Sequence, residues 1–147
     1  HFQRYTPKAE AYLWMRDNLD PTKRVLAYTE EGLDPLNKLP ASKVVTVPVY
    51  STEGAQYYFP EDTVYYHYVV ISSRPLSNYQ RAPVKNLHPY YYQAWKEFEE
   101  KLQDTNSFVL IKEFTLPKPN LIPLSDVFIY ENIGEVKTPP AQITNSL

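Results

Sequence analysis

The sequence contains no cysteine, which excludes disulfide bonds, thiolate nucleophiles and zinc sites built on cysteine. Only three glycines stand against 14 prolines, so loops that hold a phosphate on bare backbone are not expected. A basic excess is also absent, because 15 Lys and Arg against 17 Asp and Glu give a net charge of −2. This balance argues against a nucleic-acid partner. No apolar run approaches the roughly 20 residues that a membrane span needs.

The length and composition are those of one globular domain. The chain has 147 residues, 43% of them hydrophobic and 14 of them tyrosine, which is enough for a single core. We predict one α/β domain over residues 1–135 and a loose C-terminal tail over 136–147, where no periodicity is visible. The chain begins at His1 and its only methionine is Met15, which predicts a processed form or an excised piece.

Apolar residues at helical spacing predict two helices. The first has Thr6 as its N-cap and Pro7 at its first position, and its apolar face consists of Ala11, Trp14, Met15 and Leu19. The second begins at Pro89, and its face consists of Tyr91, Trp95, Phe98 and Leu102. We expect burial of six residues in particular: Trp14, Val25, Val70, Trp95, Phe98 and Val109.

Five strands are predicted, over residues 24–29, 43–50, 63–72, 108–116 and 126–130. Residues 69–71 are apolar on both faces, as in a central strand covered by helices. The connection from 63–72 through the second helix to 108–116 is expected to be a right-handed parallel crossover. The predicted fold class is therefore α/β, with a small mixed, mainly parallel sheet, flanking helices and a C-terminal β-hairpin.

Tests for catalytic groups give a negative prediction. The three histidines His1, His67 and His88 match no metal-binding spacing. Ser72 and Ser73 end the central strand, but no base oriented by a third group accompanies them. The paired carboxylates are sequence neighbours and do not face each other across a bond. We predict no catalytic residue, no metal and no cofactor in this chain.

A binding role is the remaining possibility, and two surfaces are candidates. The predicted loop 73–88 follows the end of the central strand, where open α/β sheets place ligands. Within it, Arg74, Tyr79 and Arg81 combine two guanidiniums with one ring, a set suited to phosphate or an acidic sugar, although both arginines could be ordinary solvated charges. The tyrosine clusters are either core or a second, stacking surface, for which Tyr57, Tyr58, Tyr65 and Tyr79 are the candidates.

Three segments resemble a known family. The first segment consists of the opening helix with Trp14, the helix stop at Asn18-Leu19 and Pro21, and the strand that begins at Val25. It resembles the start of a soluble C-terminal region in polytopic membrane glycosyltransferases of the GT-C fold group. These are relatives of protein O-mannosyltransferases and the aminoarabinose transferase. Residues 65–73 (YYHYVVISS) resemble the family strand Tyr-Asp-Tyr-Val-Val-x-Ser-Ser, with His67 in place of the common Asp. Residues 108–117 (FVLIKEFTLP) and 127–131 (VFIYE) resemble its closing hairpin. The resemblance covers residues 6–130.

The resemblance implies a function that composition alone does not indicate. The chain would be the non-catalytic, extracytoplasmic domain of an integral membrane enzyme that uses a polyprenyl-phosphate-linked sugar. Its partners would be the membrane portion of the same polypeptide, a lipid-linked sugar and a glycan or protein acceptor. The alternative hypotheses are a stand-alone carbohydrate- or partner-binding module that uses exposed tyrosines, and a small enzyme with a site after Ser72.

Overall fold

A computed structural model describes residues 6–30, 38, 42–47, 57–115 and 126–140. The helices are α1 (Pro7–Asn18), α2 (Ser73–Tyr79), α3 (Ala82–Leu87) and α4 (Pro89–Gln103), and a 3₁₀ turn covers Thr63–Tyr65. The strands are β1 (Val25–Glu30), β2 (Ser42–Val47), β3 (Tyr68–Ser72), β4 (Phe108–Phe114) and β5 (Val127–Asn132). The ends of two predicted strands (48–50 and 116) and most of the predicted tail (141–147) lie outside the described residues.

The five strands form one mixed sheet in the order β2-β1-β3-β5-β4. The β1–β2 and β1–β3 pairs are parallel, and the β3–β5 and β4–β5 pairs are antiparallel. Four of the strands therefore point in the same direction and β5 points in the opposite one. The predicted α/β class, the mixed sheet with flanking helices and the C-terminal hairpin are confirmed. Two of the four strand pairs are antiparallel, so parallel pairing does not predominate in the sheet as was expected.

Helices cover both faces of the sheet, which gives three layers. Successive strand residues point to opposite faces. On one face, Leu26 and Val69 pack with Trp95 of α4 in a cluster to which α2 and α3 also contribute. On the other face, Val70 packs with Met15 of α1. Residues 69–71 are all buried, as expected for a strand between two helical layers.

The first helix forms for the reasons that the sequence suggests. The Thr6 side chain accepts a hydrogen bond from the Ala9 backbone N–H at 3.1 Å, and Pro7 lies in the first turn, where no N–H is needed. Ala11 and Met15 are buried against the sheet, whereas Trp14 is half-buried at the border of the same cluster. The predicted burial of Val25, Val70, Trp95 and Phe98 is confirmed.

The predicted central strand 63–72 is too long by five residues. Asp62 accepts a hydrogen bond from the Val64 N–H at 3.0 Å and caps the 3₁₀ turn at Thr63–Tyr65. A short polar side chain thus competes with the sheet for backbone hydrogen bonds. The strand begins only at Tyr68, next to β1.

The predicted loop 73–88 is also wrong, because it contains α2 and α3. Pro83 lies in the first turn of α3, where a proline starts a helix rather than interrupting it. The prediction for Val109 is wrong as well, since its side chain is 42% exposed. Val109 lies on the edge strand β4 opposite Glu131, outside the cluster that α1 covers.

The connection from β3 to β4 differs from the simple crossover that was expected. The two strands are parallel, as predicted, but they are not neighbours, because β5 lies between them and pairs with both.

Candidate functional site

The serine pair after β3 joins two strands. The Ser73 N–H donates to the Asp126 carbonyl at 2.9 Å, and the Asp126 N–H donates to Ser73 Oγ at 3.1 Å. Ser72 is buried beside them. These bonds fix the end of β3 to the residue before β5, which is a structural use of the Ser73 hydroxyl.

His67 holds the backbone just before β3. Its Nδ1 accepts a hydrogen bond from the Arg24 N–H at 3.0 Å, so this nitrogen is unprotonated and the ring is neutral. Burial lowers the pKa of His67, and the charges of Arg24 and Lys23 lower it further. Arg24 also donates to the Tyr65 and Lys137 carbonyls at 2.8 and 2.9 Å. Arg24 and His67 therefore attach the start of β1 to the chain before β3 and to residue 137.

The His67 bond predicts a loss of stability in mild acid. Because the folded state resists protonation of His67, the unfolded chain takes up the proton first, and stability falls as the pH drops below about 6.5. We expect the free energy of unfolding from urea titrations to be lower at about pH 5 than at about pH 7.5. In His67→Asn, whose Oδ1 can accept the same N–H but does not titrate, this difference should shrink. An unchanged pH dependence in His67→Asn would show that other groups cause it.

Within the described ranges, no three His, Asp or Glu side chains come close enough together to hold a metal ion. None of the helices in that part of the chain combines the length and apolar character needed to cross a bilayer.

Two of the tyrosines considered for a binding surface belong to the core. Tyr79 is fully buried, and its ring stacks on Trp95 at a centroid distance of 4.5 Å. The Tyr58 N–H donates to the Tyr79 hydroxyl at 3.1 Å, and burial raises the pKa of Tyr79 to about 12. Tyr57 is also buried. The set of Tyr57, Tyr58, Tyr65 and Tyr79 is therefore not assembled as one exposed platform.

The predicted site residues Arg74, Tyr79 and Arg81 lie in different environments. Arg74 is half-buried in the first turn of α2, and its carbonyl accepts from Ser77 Oγ at 3.0 Å. Arg81 is half-buried at the N-cap of α3, and its Nε donates to the Asn78 carbonyl at 3.4 Å. Tyr79 lies between the two arginines in the sequence, but its ring is buried in the core. It is therefore not exposed to a ligand beside the two guanidiniums.

A cavity of about 330 Å³ lies between α2, α4 and the face of the sheet formed by β3 and β5. This saccharide-sized space, which we call the α2–α4 cavity, is within the usual range for small-molecule sites. Its apolar floor is formed by Ile71, Leu76, Leu102 and Phe128. The segment 73–80 contributes to it, but none of the three predicted site residues is among its lining residues.

The polar side chains that line the α2–α4 cavity are Ser73 and Ser77 of α2, Gln80 directly after it, Glu99 and Gln103 of α4, and Tyr130 of β5. The Gln80 amide donates to the Glu99 carboxylate across the gap between α2 and α4. The Gln103 amide lies 3.4 Å from the Tyr130 hydroxyl oxygen, to which it donates. Burial and the nearby Glu99 and Glu113 carboxylates raise the pKa of Tyr130. The phenol therefore stays protonated at neutral pH and can donate a hydrogen bond.

A second cavity, of about 170 Å³, lies beside α1. Two of its charged groups already have partners nearby. Arg16 pairs with Asp17 at 3.0 Å, and Asp20 accepts from both the backbone and the hydroxyl of Thr22. Because this second cavity is only about half as large, the α2–α4 cavity is the better candidate site.

Comparison with known proteins gives no match of any kind: no family model, no curated protein and no solved structure matches the chain.

Proposed function

We propose that the chain is a non-catalytic domain of a GT-C type membrane glycosyltransferase, and that it helps to position the saccharide of an acceptor or donor. The observation that carries this proposal is the α2–α4 cavity, with hydrogen-bonding groups arranged above an apolar and aromatic floor. The resemblance of residues 6–130 to that family supplies the enzyme class. The enzyme would act on a polyprenyl-phosphate-linked sugar at the extracytoplasmic face of the membrane.

The chemistry of the cavity suits a neutral saccharide better than a phosphate. Among the described residues, its lining includes two amides, two serine hydroxyls, a phenol and one carboxylate, but no Lys or Arg. Amides can donate hydrogen bonds to sugar hydroxyls and accept hydrogen bonds from them, and the carboxylate can accept them. The Phe128 ring offers a flat surface to the C–H face of a sugar. A phosphate would meet the Glu99 carboxylate without a compensating cation. We therefore assign the cavity to the sugar and not to its lipid phosphate.

A binding role, rather than catalysis, is supported by the uses of the nucleophile and base candidates. His67 accepts the Arg24 N–H, and Ser73 Oγ accepts the Asp126 N–H. Ser73 lines the α2–α4 cavity, but its hydroxyl oxygen already accepts the Asp126 N–H, and His67 is not among the lining residues. The reaction would then take place on the membrane portion of the same polypeptide.

Saccharide binding is testable on this chain directly. The test is a titration with methyl glycosides of mannose, glucose and 4-amino-arabinose, followed by backbone-amide NMR. We expect at least one of them to shift the resonances around Gln103 and Tyr130. The double variant Gln103→Ala, Tyr130→Phe removes two hydrogen-bonding groups and should weaken that binding about tenfold or more. It keeps the Tyr130 ring, so the melting temperature should change little.

Gln93→Ala is the matched control, because Gln93 lies on the same helix and its amide donates to Glu97, away from the cavity. Equal weakening in Gln93→Ala, or no saturable shift with any glycoside, would contradict the saccharide site. The reading frame upstream of His1 tests the enzyme class separately. Several hydrophobic spans there are expected, whereas a signal peptide alone would favour the stand-alone binding module.

A further inference from the structure

We infer that the corner between α3 and α4 rests on the surface of an anionic lipid bilayer. The α3–α4 corner is defined here as residues 85–90 together with Phe59. None of these residues lines the α2–α4 cavity, so the inference is independent of the saccharide site and either can fail alone.

The corner exposes large apolar side chains close together. Leu87, at the end of α3, is 65% exposed, and Tyr90, in the first turn of α4, is 82% exposed. Phe59 is 58% exposed and stacks on Tyr91 at a centroid distance of 4.5 Å. Single exposed apolar residues are common on protein surfaces, but several of them on neighbouring segments mark an interaction site.

The chain segment that contains residues 85–90 carries only positive charge, although Glu61 and Asp62 follow Phe59 and Glu97 follows Lys96. Residues 72–96 contain two arginines and two lysines but no Asp or Glu, although the whole chain has a net charge of −2. Lys85 and Lys96 are exposed, and Lys85 Nζ lies 5.5 Å from the centroid of the Tyr92 ring. Each basic residue near an anionic membrane surface adds to its attraction.

The combination fits a bilayer surface better than an acidic protein. Tyrosine rings favour the headgroup region, leucine favours the adjoining acyl chains, and lysine extends its charge towards lipid phosphates. An acidic protein partner would be attracted by the lysines but would not need the exposed apolar side chains of Leu87 and Tyr90.

The absence of cysteine makes a site-specific test possible. Leu87→Cys, labelled with the environment-sensitive fluorophore NBD, should brighten and shift to the blue with vesicles of phosphatidylcholine and phosphatidylglycerol. Because the contact is small, we expect a half-maximal response at about millimolar lipid. High salt should reverse it, since the attraction is screened. Replacing Lys85 or Lys96 by Gln in the labelled chain should weaken binding about fivefold each, the equivalent of ~1 kcal/mol per basic residue.

Asn106→Cys, in the turn after the opposite end of α4, is the matched control and should show no response to the same vesicles. An equal response at Asn106→Cys would mean nonspecific adsorption, and an equal response to pure phosphatidylcholine would remove the role of charge; either result overturns the inference. So does a response to a soluble polyanion such as heparin without a response to vesicles, which would instead indicate an acidic macromolecular partner.

Discussion

Trp95→Ala should lower the free energy of unfolding by about 3 to 5 kcal/mol, the range for loss of a buried tryptophan. The indole ring is almost fully buried, stacks on Tyr79 and meets Tyr28 edge-on at 4.8 Å. Its Nε1–H donates to the Tyr58 carbonyl at 2.7 Å. Removing the side chain therefore leaves a cavity beneath α4 and one unsatisfied acceptor. Urea titration followed by far-UV circular dichroism measures the loss.

Trp95→Phe separates the two contributions. It keeps an aromatic ring against Tyr28 but deletes the Nε1–H donor, so we expect a smaller loss of about 1 to 2 kcal/mol. A loss below about 1 kcal/mol for Trp95→Ala would be incompatible with the burial of this face of the sheet.

Met15→Ala should lower the free energy of unfolding by about 2 to 5 kcal/mol, which tests the other helical layer. Met15 is buried in α1 against Val70, Val127 and Ile129 of the sheet. Alanine has a high helix propensity, so the loss would come from packing and not from the helix itself. Chemical denaturation measures it in the same way as for Trp95.

The volume-conserving variant Met15→Leu provides the control and should cost less than about 1.5 kcal/mol. If Met15→Ala and Met15→Leu had equal and small effects, α1 would not be packed on the sheet in solution. Large losses for both Trp95→Ala and Met15→Ala together would support a sheet covered on two sides.

Helices with a clear apolar face could be predicted from the sequence, and short ones could not. The spacing of Trp95, Phe98 and Leu102 leaves one interpretation for α4, and all three are buried. In contrast, α2 and α3 have only seven and six residues, too few to display a periodic pattern. The start of β3 was missed for a different reason: residues 63–67 have strand-forming side chains, but the Asp62 carboxylate stabilises a 3₁₀ turn there.

The predicted site residues and the α2–α4 cavity share a segment but not side chains. Segment 73–80 lines the cavity through Ser73, Leu76, Ser77 and Gln80, and Arg74, Tyr79 and Arg81 are not among the lining residues. The burial of Tyr79 against Trp95 was not predicted, because the direction of a helical side chain is not visible when the segment is interpreted as a loop. Gln103 and Tyr130 could not be identified at all, since glutamine and tyrosine on separate elements form no local motif. Only the fold brings them within 3.4 Å.

The position of β5 in the sheet has a consequence for synthesis on the ribosome. Of the five strands, β5 emerges last, yet it lies between β3 and β4 and pairs with both. Until residues 127–132 leave the exit tunnel, β4 has no neighbour in the sheet, and the free edge of β3 can pair with another chain. Closure of the sheet must therefore wait for long-range pairing after β5 has emerged, a late step that exposes a nascent chain to aggregation and to chaperones.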